Sequence, residues 1–261
     1  MNKMQDIETL KQQYKNAQNL ETRISLHDKY STNKQGIGNW FFEKFNAFNG
    51  CKILELGCGN GGMWCDRISI IGEDSLLVLS DFSNGMLKEA KLKVGAHINV
   101  GYPQIDITNI PFDTSEFDFV IANMMLYHVP DLPAAIKEVR RVLNPSGIFY
   151  SATFGENGIS RYLNDKLEEQ GVHIKITGSF TLQNGMEILS KEFSSVDRFD
   201  YIDSFEITGT NDLLDYIFSL SSTAGVKDLD RDKLFNFFEN QKNENGIICI
   251  PKEGGMFVAK A

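Results

Sequence analysis

Apolar and polar positions alternate along this chain between two rhythms. Short apolar runs of strand length occur at Lys52-Ile53-Leu54-Glu55-Leu56, Leu76 to Ser80, Phe117 to Asn123 and Gly147 to Phe154. Each is bounded by Gly, Asp, Asn or Pro, which reads as strands buried on both faces. Between them the apolar residues recur every three or four positions. Met86, Leu87, Ala90 and Leu92 form one such stripe, and Ala134, Ile136, Val139, Val142 and Leu143 another. Ser83 and Asp131 stand where N-caps belong, and Asn144-Pro145-Ser146-Gly147 stops the second helix. A helix is also expected from the glycines after Leu56 to about Ile71, and a short strand around residues 98–105. Strands that run into helices through connections too long for hairpins predict an α/β fold. The expected architecture is a doubly wound, Rossmann-like sheet, mostly parallel, with helices on both faces.

The flanks follow the helical rhythm. Residues 4–24 carry Ile7, Leu10, Tyr14, Ala17, Leu20 and Ile24 at helical steps, and Arg23, His27 and Tyr30 continue as a polar stripe at i, i+4 and i+7. That stripe faces either solvent or a pocket. Asn39 is expected to cap an aromatic helix through Trp40, Phe41, Phe45 and Phe48. Beyond the fifth strand, helices are expected over 159–170 and 182–193, a sixth strand over 196–207, and further helix from Leu213 to Phe238. The chain closes on an antiparallel last strand, bent or as a hairpin. The expectation is one domain over 1–261: an N-terminal helical cap (1–49), a core (50–154), and helical insertions after strands 5 and 6 (155–193 and 208–245). The insertions leave from one sheet edge and are lids or core packing.

Chemistry-bearing residues gather at the strand ends. Four glycines, Gly57, Gly59, Gly61 and Gly62, follow the first strand, and Gly57, Gly59 and Gly62 fill the spacing G-x-G-x-x-G. Glu55 is either a satisfied strand carboxylate or an acceptor for a ligand amine. Asp81, at the tip of the second strand, is placed to accept from ribose hydroxyls. In an open parallel sheet, ligands bind outside the carboxyl ends of the strands, so Glu55, Asp81, Asp106, Asn123 and His128 are expected to converge. The net charge of −9, without a basic run longer than Arg140-Arg141, argues against nucleic acid as a partner. No apolar run reaches membrane-spanning length, and the polar N-terminus does not read as a signal peptide, so a cytoplasmic protein is expected. Cysteines 51, 58, 65 and 249 show neither metal-ligand nor paired spacing, so no metal site is expected and the thiols should be reduced and mostly buried.

These residues resemble the class I S-adenosylmethionine (SAM)-dependent methyltransferases, most closely the small-molecule enzymes called type 11. The likeness is carried by Ile53-Leu54-Glu55-Leu56-Gly57-Cys58-Gly59-Asn60-Gly61 and Asp81-Phe82-Ser83-Asn84-Gly85-Met86-Leu87. It continues through Asp106-Ile107 with Ile110-Pro111-Phe112, Phe117 to Asn123, and Val139 to Gly147, and it covers roughly residues 50–154. The resemblance implies SAM as cofactor and a small-molecule methyl acceptor. It implies that Glu55 and the backbone at Gly57, Cys58 and Gly59 face the methionine part, that Asp81 holds the ribose, and that Phe82 and Met86 flank the adenine. Asp106 and Ile107 would meet the adenine amino edge and Asn123 the sulfonium end. Arg23 and Tyr30 are candidates for the SAM carboxylate by position and residue type.

SAM is cationic at its sulfonium and ammonium and lacks phosphates, so a carboxylate-rich site suits it. Glu55 and Asp106 therefore weigh against a nicotinamide dehydrogenase, although the glycine spacing alone allows one. A protein that binds SAM without transferring its methyl group is the other reading left open. For transfer to a weakly acidic hydroxyl, His128 is the candidate general base, ahead of Tyr127 and His27. The acceptor, and whether oxygen, nitrogen or carbon is methylated, cannot be read from the residues.

Overall fold

The computed structural model describes residues 17–172, 178–220 and 230–261. The expected helical positions Ile7, Leu10 and Tyr14 lie outside them. Seven strands form one sheet: β1 (Lys52–Leu56), β2 (Leu76–Ser80), β3 (Val100–Gly101), β4 (Phe117–Asn123), β5 (Leu143–Phe154), β6 (Ser195–Ile207) and β7 (Ile248–Lys260). Their order is β3-β2-β1-β4-β5-β7-β6. β1 to β5 are mutually parallel, and β7 runs antiparallel to both β5 and β6, so β6 points the same way as the first five. The strand order reverses at β1, between β2 and β4, which opens a crevice at the carboxyl ends of the strands.

The apolar runs form strands because both of their faces are covered. Leu54, Val78, Val120 and Phe149 point into one core and Ile53, Leu77, Phe119 and Tyr150 into the other. The eight α-helices among the described residues are α1 (Gln18–Tyr30), α2 (Ile37–Lys44), α3 (Asn84–Val94), α4 (Leu132–Val142), α5 (Ile159–Glu168), α6 (Gly185–Leu189), α7 (Thr210–Ser219) and α8 (Arg231–Glu239). α3 and α4 begin where the caps predicted: Ser83 Oγ accepts from Met86 N at 3.4 Å, and Asp131 Oδ1 from Ala134 N at 3.1 Å. α4 buries Ala135, Ile136, Val139 and Val142. A third core, over the β6 and β7 end of the sheet, joins Leu26 of α1 to Leu163, Leu213, Ile217, Leu234 and Phe238 of α5, α7 and α8. Its residues pack on Phe205 and Ile250, at the edge from which the insertions depart.

Four expectations are corrected. No α-helix follows the glycines; Gly61, Trp64, Arg67 and Ile70 each donate their N–H three residues back, at 3.0 Å, and only Ile68–Ile71 is regular, as a 3-10 turn. Two adjacent glycines are poor helix formers, and Trp64 and Arg67 are tethered outward, to Glu55 and to Asn39. Asn39 does not cap α2 but lies within it, and α2 ends at Lys44, leaving Phe48 54% exposed. The third strand shrinks to two residues because Pro103 cannot donate to the ladder, and only a single bridge, Asp81 to Gln104, extends it. Of the thiols, Cys51 alone is fully buried, while Cys249 lies on an outward position of β7 and is exposed.

Candidate functional site

The turn after β1 is shaped by glycines in the left-handed region. Gly57, Gly59 and Gly61 have φ of 71°, 56° and 71°. A Cβ on Gly57 would stand 2.8 Å from Met125 Cγ, and one on Gly61 would stand 3.1 Å from the α3 backbone at Ala90. Gly61, outside the G-x-G-x-x-G positions, is thus the glycine that lets α3 approach. Gly62 instead closes the turn by donating its N–H to Asn60 Oδ1 at 3.1 Å.

Three carboxylates stand at this edge. Glu55 is 2% exposed and accepts from Trp64 Nε1 at 2.5 Å. Burial, aided by the charge of Asp81 and opposed by the indole N–H, raises its pKa to about 7. Asp81 ties the second strand to the turn, accepting from Gly59 N at 3.0 Å and Ser83 N at 2.8 Å, and burial raises its pKa as well. Asp106 accepts the N–H and hydroxyl of Thr108, at 2.9 and 2.7 Å. Burial, then the charges of Glu55 and Asp81, push the Cys58 thiol up, so it is no nucleophile.

A cavity of ≈ 1220 Å³ opens over these groups. It brings together Arg23, Glu55, Gly57, Cys58, Gly59, Asp81, Phe82, Asp106, Ile107, Asn123 and His128, which are up to 105 positions apart (128 − 23). His27 and Tyr127 line it too. His128 follows β4 in a 3-10 turn, Leu126–His128, its ring 4.5 Å from that of Tyr127. His27 is a poor base: burial, then the Lys252 charge, push its pKa down to about 3.

Two of the expected site residues are not brought there. Tyr30 lies at the end of α1 on the side facing α7, and its hydroxyl donates to Asp212 Oδ2 at 2.6 Å, next to the Lys29–Asp212 ion pair. Helical spacing put Tyr30 in line with Arg23, but α1 is rotated so that Arg23 and His27 face the cavity and Tyr30 does not. Tyr30→Phe is expected to leave cofactor affinity unchanged and to lower stability by about 1 kcal/mol, readable by calorimetry and urea unfolding. Met86, in the first turn of α3, is 1% exposed and does not line the cavity. Conversely, Asn60 lines this wall and Trp64 supports it from the core behind, neither having been singled out. Trp64 lies nine residues beyond Glu55, and only the turn brings the two into contact.

The buried amides show where polar ligand atoms are wanted. Asn123 donates Nδ2 to Met63 Sδ at 3.3 Å, and its Oδ1 has no hydrogen-bond partner among the described residues; Asn60 Nδ2 has none either. Both residues line the cavity. An unpaired buried acceptor and donor cost stability unless a ligand completes them.

Residues 54–151 match the family model described as a methyltransferase domain. The 54–151 core is a class I SAM-dependent methyltransferase domain. A demethylmenaquinone methyltransferase of Staphylococcus saprophyticus is 33% identical over 106 residues, 41% of this chain and 46% of that protein. One from Lactococcus lactis is 34% identical over 107 residues, 40% and 42% of the two chains. The matched stretch therefore spans less than half the length of these curated relatives. Among solved structures, phosphoethanolamine N-methyltransferase 2 of Haemonchus contortus, in complex with SAM, superimposes with a TM-score of 0.61 at 16% identity, covering 98% of this chain and 59% of that one. At that identity the likeness speaks for the fold.

The methyltransferase domain suits the cofactor of its family. Glu55, Asp81 and Asp106 line the cavity with carboxyl groups, which suit a cationic sulfonium and ammonium. Asn123 Oδ1 is an acceptor still lacking its donor. Among the described residues no helix is long and apolar enough to cross a membrane.

Proposed function

We propose that the whole chain is an enzyme that transfers the methyl group of SAM to a small-molecule acceptor held in the same cavity. The observation that carries this reading is the continuity of one ≈ 1220 Å³ cavity. It runs from a carboxylate-lined end at β1, β2 and β4 to an end formed by α1, α5, α7 and the middle of β7. The volume exceeds the several hundred cubic ångströms that one drug-sized ligand fills, which leaves room for a second molecule. SAM, when bound, supplies an electrophilic methyl group on a sulfonium.

The chain's own residues hold and orient. Glu55 and the backbone at Gly57, Cys58 and Gly59 serve the methionine part, with Asn123 beside its cationic end and Arg23 reaching its carboxylate. Asp81 serves the ribose, Phe82 the adenine face, and Asp106 with Ile107 the adenine edge. α1, α5 and α7 flank the pair of ligands, so that most of the rate gain comes from proximity and orientation. For a hydroxyl acceptor, His128 takes the proton.

Calorimetry with SAM, S-adenosylhomocysteine and NADH tests the cofactor. The expected outcome is micromolar affinity for the first two, no heat with NADH, and a loss of tenfold or more in Asp81→Ala. Preference for NADH would sink the reading. His128→Ala is expected to keep cofactor affinity and lose about 100-fold or more in turnover of a hydroxyl acceptor. Unchanged turnover would leave His128 as a wall residue, and an absence of methylated product from any acceptor would favour a protein that binds SAM without using it.

A further inference from the structure

The end of the cavity opposite the glycines is built on β7 and β6, three and four strands along from β1, or about 14–19 Å. The antiparallel register pairs Asp203 with Lys252 just beyond the carboxyl edge of β5, where Phe154 faces Gly254. Lys252 Nζ donates to Asp203 Oδ2 and to Ser31 Oγ, the latter at 2.6 Å, and lies 4.5 Å over the Phe205 ring. The two side chains are 14% and 0% exposed. They are not equivalent. Asp203 is turned away from the cavity, its Oδ1 accepting from Asn33 N at 2.9 Å and Ser204 N at 2.8 Å. Lys252 lines the cavity, and two of its three ammonium hydrogens have these partners.

The neighbouring His27 ring registers the field at this wall. It sits edge-on to Phe205 at 4.9 Å and Tyr216 at 6.4 Å, and among the charges acting on it Lys252 outweighs Asp203, with Arg23 adding to the cation side. Asp28 and Glu253 line the same cavity, and Lys252 is the charge that acts most strongly on the ring. The same cavity is also lined by the apolar Phe154, Ile159, Leu163 and Leu220. Stability does not call for this arrangement, since a buried ion pair replaced by well-packed apolar residues is commonly neutral or stabilising.

We infer that Lys252 and His27 form the recognition site for an acidic oxygen group, a carboxylate or a phenolate, carried by an otherwise apolar methyl acceptor. The third ammonium hydrogen and the neutral imidazole N–H donate to it, a charge-assisted pairing in a dry wall. The inference rests on the reading that an acceptor shares the cavity with SAM. A cationic acceptor would meet Lys252 first, with Asp203 behind it.

The test is calorimetric titration of the S-adenosylhomocysteine-loaded protein with four matched probes: 4-propylbenzoate, 4-propylphenol, 4-propylbenzamide and 4-propylbenzylammonium. Benzoate is expected to bind about tenfold or more tighter than benzamide. Phenol binding tightest, with the red-shifted absorbance of a bound phenolate, would identify the phenolate form instead. Because Lys252→Met alone would strand Asp203, the charge-free pair Lys252→Met with Asp203→Leu is used. It should keep S-adenosylhomocysteine affinity and equalise benzoate and benzamide, while Lys252→Arg keeps the preference. Equal binding of benzoate and benzamide to the wild type, preference for the ammonium probe, or no binding of any probe with the cofactor product bound would each overturn the inference. Failure of the wild type to bind S-adenosylhomocysteine would instead overturn the methyltransferase reading beneath it.

Discussion

Glu55→Gln is expected to weaken cofactor binding by about 10- to 100-fold while making the ligand-free protein more stable above neutral pH. The two effects share one cause. Glu55 is buried, and its pKa lies near 7 in the folded chain against an ordinary 4.5. Between those values the folded state holds a proton that the unfolded state has released, so stability falls as pH rises through that window. The difference corresponds to about 3 kcal/mol at 1.36 kcal/mol per unit. Below pH 4.5 the penalty is absent; above 7 it is complete unless a cation neutralises the carboxylate. A SAM ammonium or sulfonium is such a cation, and a hydrogen bond to a charged group contributes about 1.5–3 kcal/mol. Cofactor affinity of the wild type should accordingly decline as pH drops below about 7. In Glu55→Gln, the amide oxygen still accepts from Trp64 Nε1, the charge is gone, and both pH dependences should flatten. Thermal unfolding and calorimetry across pH 5–9 read both. A variant that lost affinity and stability together at pH 8 would show that Glu55 is structural.

Gly57→Ala is expected to cost about 2–5 kcal/mol of stability, a fall of roughly 5–15 °C in Tm, and to abolish measurable cofactor binding. Alanine there meets two separate penalties. The backbone sits at φ 71°, where a side chain is strained. The new methyl would stand 2.9 Å from Met125 Cβ, close to the backbone after β4, where little can give. Adding Met125→Ala should restore the steric part of the loss and leave the φ part. Gly59→Ala, whose methyl would meet only the end of the Leu20 side chain at 3.2 Å, should be milder. Equal Tm and affinity for Gly57→Ala and the wild type would mean that the close approach of the two loops is dispensable.

These residues also mark the boundary between local and tertiary information. The bounds of β2 and β4, the caps at Ser83 and Asp131, and the antiparallel closing strand were legible because each depends on a pattern a few residues long. So was the convergence of Glu55, Asp81, Asp106 and Asn123, since parallel strands must present their carboxyl ends on one edge. The turn that replaces the helix after Gly62 was not legible: its course depends on Trp64 reaching Glu55 and Arg67 reaching Asn39. Nor was the turning of Tyr30 toward Asp212, because the rotation of α1 about its axis is set by its packing on α7 in a separate core. Nothing local to Lys252 singles it out, and only the register of β6 against β7 sets it on Asp203 at a cavity wall. The sequence by itself determined the main strands, the capped helices and the acidic edge, because period, capping and strand direction are local properties. Tertiary structure alone decided which face of α1 looks inward and which cation stands at the far wall, because helix rotation and antiparallel register are settled by contacts between residues far apart in the chain.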